Sequence, residues 1–157
     1  MTENLIEQLV AKHETKGTKM KKIALIVLTV LSVPIFFPVF TIIFLLLDVF
    51  FFGRMNVEYE YTFFMGDLDV AKVTNKSTRK KLFAINLKDV DVIAPTGAPE
   101  LLGYQRLKKL DCTTSTPGNK TYELVGKKGE DKVRLLFEPS EDLLQAMHRM
   151  EPRKVIF

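Results

Sequence analysis

Residues 57–63 read Val-Glu-Tyr-Glu-Tyr-Thr-Phe, so apolar and polar side chains alternate along this stretch. A period of two places the valine, both tyrosines and the phenylalanine on one face of an extended chain, which predicts a half-buried β-strand. Turn residues follow at Met65-Gly66-Asp67, and a second apolar stretch begins at Leu68. We therefore expect an antiparallel hairpin over residues 57–74.

Strand patterns continue toward the C-terminus. Residues 82–87 and 90–93 are predicted as a third strand and a short fourth strand. The stretch 96–119 is rich in Thr, Gly, Pro and Ser, and its segment 101–110 fits either a helical turn or an edge strand. Residues 122–137 contain two further alternating stretches around a glycine-containing turn, which predicts another hairpin.

The pattern becomes helical over residues 140–151. Ser140 is a good N-cap, the two acidic residues after it favour the positive end of the helix dipole, and Pro152 ends the run. Leu143, Leu144, Met147 and Met150 would line one face. A series of antiparallel strands closed by one amphipathic C-terminal helix predicts a pleckstrin-homology-like (PH-like) β domain over residues 54–157.

Upstream of this domain lies a hydrophobic segment, residues 20–53. Its stretch 23–47 contains no ionisable side chain, which predicts a transmembrane anchor. Two prolines, Pro34 and Pro38, would break it into a helical hairpin, residues 20–35 and 38–53, although one tilted and kinked helix is the alternative. No small-residue cleavage site follows, so we expect the anchor to be retained.

The flanks of the anchor are both basic, and cytoplasmic loops of membrane proteins carry the excess of Lys and Arg. The sequence thus predicts a multi-pass protein of the cell membrane with both termini cytoplasmic. Asp48, near the end of the second leg, is expected to pair with Arg54 or a lysine. Residues 1–19 are an amphipathic segment, with a helix expected over 2–16 that is capped by Thr2 and lies on the membrane or on the β domain.

The composition excludes several functions. A net charge of +4 is too small for a nucleic-acid-binding protein of this length. The single cysteine, Cys112, cannot form an intramolecular disulfide, and neither clustered metal ligands nor a catalytic motif occurs. We therefore expect no enzyme activity, no cofactor and no metal.

Several stretches of sequence have a familiar pattern. They are Asn56-Val-Glu-Tyr-Glu-Tyr-Thr, Gly66-Asp-Leu-Asp-Val-Ala-Lys-Val, Asn75-Lys-Ser-Thr-Arg-Lys-Lys, Asp89-Val-Asp-Val-Ile-Ala-Pro95, Phe137-Glu-Pro-Ser and Pro152-Arg-Lys-Val-Ile-Phe. Together they resemble a family of small uncharacterised membrane proteins of anaerobic Gram-positive bacteria. The resemblance implies a membrane-tethered cytoplasmic domain with a PH-like soluble part, and it implies no reaction.

A basic cluster is the best candidate site. Five cations lie within ten residues around one strand connection: Lys72, Lys76, Arg79, Lys80 and Lys81. They could hold an anionic lipid headgroup, and the alternative is a solvated turn that prevents edge aggregation. The sequence predicts a non-enzymatic, membrane-anchored binding or scaffold protein that contacts the lipid bilayer and a protein partner or a second copy. The alternative is an accessory subunit that joins a larger membrane complex through its transmembrane helices.

Overall fold

A computed structural model describes residues 5–36 and 39–157, and for residues 33–36 it describes the backbone. In chain order the helices and strands are β1 (Ile6–Ala11), α1 (Lys16–Phe36), α2 (Val39–Met55), β2 (Val57–Phe64), β3 (Asp67–Thr74), β4 (Thr78–Asn86), β5 (Val90–Pro95), β6 (Lys109–Asp111), β7 (Tyr122–Lys128), β8 (Asp131–Phe137) and α3 (Glu141–Met150). Short 3₁₀ helices occupy Leu87–Asp89 and Pro99–Tyr104.

The strands form two four-stranded sheets. The first has the order β1-β2-β3-β4 and is antiparallel throughout, and the second has the order β5-β7-β8-β6, in which the short β6 runs parallel to β8. The main apolar core lies between the sheets and under α3, and among its fully buried side chains are Tyr61, Leu68, Ile93, Leu124, Phe137, Leu143 and Met147. A smaller apolar cluster contains Val92, Ala94, Leu101 and Val125. The α+β, PH-like part of the sequence prediction is confirmed.

Strand β2 shows why the sequence folds this way. Its two tyrosines and Phe63 point into the core as the alternation requires, and Tyr61 pairs with Val70 of β3. The buried Tyr61 hydroxyl donates a 2.6 Å hydrogen bond to the Cys112 carbonyl oxygen. Its ring meets that of Phe137 edge to face at 5.8 Å, so β2 links the first sheet to the second.

Helix α3 begins after Ser140, whose hydroxyl accepts a hydrogen bond from the Leu143 amide, as the sequence predicts. The chain after α3 then returns to the second sheet. The Ile93 amide donates to the Lys154 carbonyl oxygen at 2.7 Å, and the Ile156 amide donates to the Ile93 carbonyl oxygen at 2.8 Å. The C-terminal residues therefore cover the free edge of β5.

The helix expected over residues 2–16 is wrong. Residues 6–11 form β1, which pairs antiparallel with β2 from Ile6 opposite Phe63 onward. Burial alternates along it, so Ile6 and Val10 pack against the core while Leu9 is exposed. Pairing with β2 gives this segment a full ladder of hydrogen bonds, which a short isolated helix would lack. Thr2, the expected cap, lies outside the described residues.

The transmembrane hairpin is also wrong, and with it the multi-pass location with both termini cytoplasmic. Two helices do follow β1, and they pack against each other, but no helix in residues 5–36 and 39–157 is long and apolar enough to cross a membrane. Helix α2 has 17 residues and so extends only about 25 Å. The first turns of α1 contain four lysines, which shorten its apolar part. Pro34 lies within α1, and Pro38 lies outside the described residues.

Candidate functional site

We use the term barrel for the two sheets together with α3, and the term helix pair for α1 and α2. The helix pair is inserted between β1 and β2 of the barrel. The β3–β4 turn lies against the base of this pair. The Asn75 amide donates to the Asn56 carbonyl oxygen at 3.0 Å. A Cβ atom placed on Gly53 would lie 3.1 Å from the Asn75 side chain, so a larger residue there would require this side chain to shift.

The turn itself has a conformation that few residues adopt. Asn75 and Lys76 both have a φ of 54°, the left-handed region that a tight two-residue hairpin turn requires. Asn tolerates this region well, and Lys does so less readily. The turn therefore places the Lys76 side chain at the tip of the hairpin, beside the base of the helix pair.

The predicted basic cluster divides into two groups. The Arg79 guanidinium lies 2.9 Å from a Glu60 carboxylate oxygen, and the Lys81 ammonium lies 2.9 Å from a carboxylate oxygen of Asp69. These two cations are therefore neutralised by the neighbouring strands. The structure brings the remaining lysines of the cluster together without such partners.

Lys72 of β3 stands directly opposite Lys80 of β4. Neither of them, nor Lys76, forms an ion pair with any residue that the structure describes. Like charges directly opposite each other on antiparallel strands repel and destabilise the sheet. An anion bound between them would relieve that repulsion.

Two further cations come from the helix pair. Lys22 forms an ion pair with Glu14 and lies 3.4 Å from the Asn56 side-chain oxygen, and its hydrogen bond lowers the pKa of the Glu14 carboxyl. The Arg54 guanidinium lies over the Phe50 ring, 4.0 Å from its centroid. We use the term basic foot for Lys22, Arg54, Lys72, Lys76 and Lys80, which surround the base of the helix pair.

The contact between α1 and α2 contains polar side chains. Thr29 donates a 2.7 Å hydrogen bond to Asp48, and the hydroxyls of Ser32 and Thr41 lie 3.4 Å apart. Thr29 and Ser32 are only 7% and 5% exposed. Asp48 therefore pairs with a threonine in place of the expected cation, and its second carboxylate oxygen is buried with no partner in the described part of the chain.

The apolar side chains of the helix pair point outward. Exposed large hydrophobic residues include Ile23, Ile26, Val27, Leu28, Val30, Leu31, Val39, Ile42, Ile43, Leu45, Leu46, Leu47 and Val49. Consecutive helical residues point about 100° apart, so the runs 26–28 and 45–47 each span about 200° of their helix, on the sides that face away from the polar contact. Water-soluble proteins usually bury apolar side chains and expose polar ones, and the helix pair has the opposite arrangement.

A family model described as a bacterial PH-like domain matches residues 2–157. The chain belongs to the bacterial PH-like domain family DUF6106. No curated protein and no solved structure matches the chain. The match confirms the PH-like part of the resemblance drawn from the sequence, and it covers β1 and the helix pair as well as the residues after Arg54. The membrane nature and anaerobic Gram-positive origin of the relatives form no part of it.

Among residues 5–36 and 39–157, no group of three His, Cys, Asp or Glu side chains could hold a metal ion. Burial raises the pKa of the Cys112 thiol to about 11, so this side chain is not a thiolate nucleophile at neutral pH.

Sequence reasoning found three members of the basic foot and missed the contribution of Lys22 and Arg54. The sequence interpretation includes them only as part of the basic flanks of the apolar segment, and Arg54 also as a possible partner of Asp48. Their proximity to Lys76 depends on the contact between Gly53 and Asn75, which joins residues 22 positions apart. A signal was nevertheless present, because basic residues stand at both ends of the apolar run.

Proposed function

We propose that this PH-like protein is a non-enzymatic binding module that associates with the surface of anionic phospholipid membranes. In this proposal the basic foot contacts the headgroups, and lipid covers the apolar sides of the helix pair. One observation carries the proposal: the helix pair exposes apolar side chains over its whole outer surface, beside Lys72, Lys76 and Lys80, which form no ion pair with any described residue.

The direction of the exposed residues favours lipid over a protein partner. A second copy of the chain, or any other protein, would cover one side of the helix pair and leave the opposite side in water. A helix pair that is apolar over its whole outer surface needs an apolar environment around that surface. Lipid provides that environment, whereas a single docking protein does not.

The charges favour an anionic surface over a neutral one. Each Lys or Arg close to an anionic membrane contributes about 1 kcal/mol of binding free energy. Lys72, Lys76 and Lys80 are available because no carboxylate among the described residues pairs with them, in contrast to Arg79 and Lys81. The family's PH-like fold is compatible with lipid or protein binding.

Vesicle flotation tests the proposal. Full-length protein in an uncharged detergent is diluted onto preformed phosphatidylcholine vesicles with and without phosphatidylglycerol. We expect tighter binding to the anionic vesicles, and this difference should shrink as salt rises from about 0.1 M to about 1 M, because the screening length falls from about 10 Å to about 3 Å. Equal binding to both compositions would contradict the role of the basic foot.

Charge reversal at the foot is the sharper comparison. The double variant Lys72→Glu/Lys80→Glu should bind anionic vesicles at least about 30-fold more weakly, since it removes two contacts of about 1 kcal/mol each and adds repulsion. The matched control is Lys127→Glu/Lys128→Glu. It changes the net charge equally, but its lysines lie at the other end of β4, beside Asn86 and Asp89.

The control variant should lose far less affinity than the foot variant. Equal losses would mean that net charge alone sets binding. If the native chain floats with no vesicle of either composition, the lipid proposal fails as a whole, and a protein partner becomes the better explanation of the exposed helices.

A further inference from the structure

A polar cavity of about 550 Å³ lies on the barrel between β1, the segment 114–120 and the start of α3. Its wall carries two carboxylates, Glu138 and Glu141, and one cation, Lys120. Neither carboxylate forms an ion pair with any described residue. The cavity shares no residue with the basic foot.

Glu138 is the most informative residue of this cavity because it is only 7% exposed. One carboxylate oxygen accepts from the Thr114 amide at 3.2 Å and from the Thr114 hydroxyl at 2.9 Å, and the other accepts from the Asn119 side-chain amide at 3.1 Å. All of these donors are neutral. Buried acidic side chains are almost always paired with a cation, so Glu138 lacks the counter-charge that such a position normally has.

The position of Glu138 is fixed by the surrounding backbone. The Gln8 side chain donates to the Glu138 carbonyl oxygen at 2.8 Å and accepts from the Ser140 amide at 2.7 Å. The Glu138 amide donates to the Tyr61 hydroxyl at 3.3 Å. The carboxylate is therefore held in place before any ligand arrives, which lowers the entropy lost on binding.

We propose that this cavity binds an organic cation, the ammonium or guanidinium group of a basic side chain, with Glu138 as its counter-ion. The wall supplies hydrogen-bond acceptors at Glu138 and at the hydroxyls of Thr114 and Thr116, which match the donors of such a group. Only two carboxylates are present, and the described residues contain no three-ligand metal group. The volume also suits a side chain better than a bare ion.

Lys120 has a defined part in this proposal. It is exposed on the cavity rim, close enough to line the opening yet outside ion-pair distance of Glu138. Its charge opposes the entry of another cation. A substitution at Lys120 therefore tests the electrostatics without disturbing the buried hydrogen bonds of Glu138.

The experiment uses the full ¹⁵N-labelled chain in uncharged detergent micelles, titrated with N-acetyl-arginine amide, N-acetyl-lysine amide and N-acetyl-citrulline amide. Citrulline has nearly the shape of arginine without its charge. We expect saturable shifts of the Asn119 side-chain amide and the Thr114 backbone amide with one or both cations, and none with citrulline. Comparison of the two cations distinguishes guanidinium from ammonium. Equal shifts with citrulline, or no shift with either cation, would overturn the proposal.

Two variants complete the test. Glu138→Gln keeps the shape of the side chain and should weaken cation binding at least tenfold, whereas the matched control Glu130→Gln, in the β7–β8 turn, should change it less than twofold. Lys120→Glu should tighten binding severalfold and does not depend on the buried network. Unchanged affinity in either Glu138→Gln or Lys120→Glu contradicts the proposal, and the amide spectra show whether each variant is folded.

Discussion

The barrel and the helix pair follow opposite rules of burial within one chain. In the barrel, Tyr61 and Phe137 are fully buried, and the charged side chains other than Glu60, Glu123 and Glu138 are at least partly exposed. In the helix pair, Thr29 and Ser32 are buried while Leu46 is 66% exposed. The barrel is therefore stabilised by the removal of apolar surface from water. In the helix pair, hydrogen bonds stabilise the contact between the helices, and the apolar outer surface stays exposed. The two regions should respond oppositely to the same kind of mutation.

Truncation of a large apolar side chain gives the largest difference between the two regions. Phe137→Ala should lower the free energy of unfolding of the barrel by about 3–5 kcal/mol, because it leaves a cavity beside Tyr61. Leu46→Ala in the helix pair should change it by less than about 0.5 kcal/mol. Denaturant unfolding of the full chain in uncharged micelles, followed by near-ultraviolet circular dichroism, measures both. Similar losses in the two variants would mean that the helix pair is packed like the barrel.

The same contrast explains what the sequence could predict. In the barrel, a period of two found β2, β3, β7 and β8, and the serine cap found α3, because each of these signals is local. Strand β1 was missed because its apolar positions fit a helical face as well as a strand. Its partner, β2, lies beyond the helix pair, so the hydrogen bonds that decide between the two are not local.

The candidate site was predictable only in part. The sequence shows five cations within a stretch of ten residues, but it does not show which of them form ion pairs with carboxylates. That depends on the register of β2, β3 and β4, which brings Glu60 near Arg79 and sets Lys72 opposite Lys80. An irregularity between Val70 and Ala71 shifts this register, and no local pattern marks it.

A polar substitution should affect the helix pair more than an apolar one. Thr29→Val removes the hydrogen bond to Asp48 and leaves the carboxylate without a partner, which should cost about 1–3 kcal/mol of helix-pair stability. Thr29→Ser keeps the hydroxyl and is the control. Disulfide crosslinking between cysteines introduced into α1 and α2 reports the pairing. If valine and serine variants crosslink equally fast, the hydrogen bond does not hold the helices together.

Alkaline pH should destabilise the barrel through Cys112. Burial raises the pKa of this thiol from 9.0 to about 11, so the folded chain keeps its proton where the unfolded chain has lost it. The stabilisation is complete below pH 9 and is lost as pH rises toward 11, by up to about 2 kcal/mol. Urea unfolding at several pH values measures this slope. Cys112→Ala should show a shallower slope, and an unchanged slope would assign the effect to other groups.

The smallest effect on barrel stability is expected from substitution of the two paired cations of the basic cluster, which lie near the base of the helix pair. Arg79 and Lys81 are exposed and already bonded to Glu60 and Asp69, so Arg79→Gln or Lys81→Gln should change barrel stability by at most about 1 kcal/mol.

Vesicle binding separates these paired cations from the unpaired ones. Lys72→Gln/Lys80→Gln removes the same charge as Arg79→Gln/Lys81→Gln, but it removes cations that pair with no carboxylate in the described part of the chain. The first pair should therefore weaken binding to anionic vesicles by about 10- to 30-fold, and the second by less, because Glu60 and Asp69 already offset the charges of Arg79 and Lys81. If both double variants lose the same affinity, binding depends on the total charge of the β3–β4 hairpin. The ion pairs with Glu60 and Asp69 would then have no effect on which cations contact the lipid.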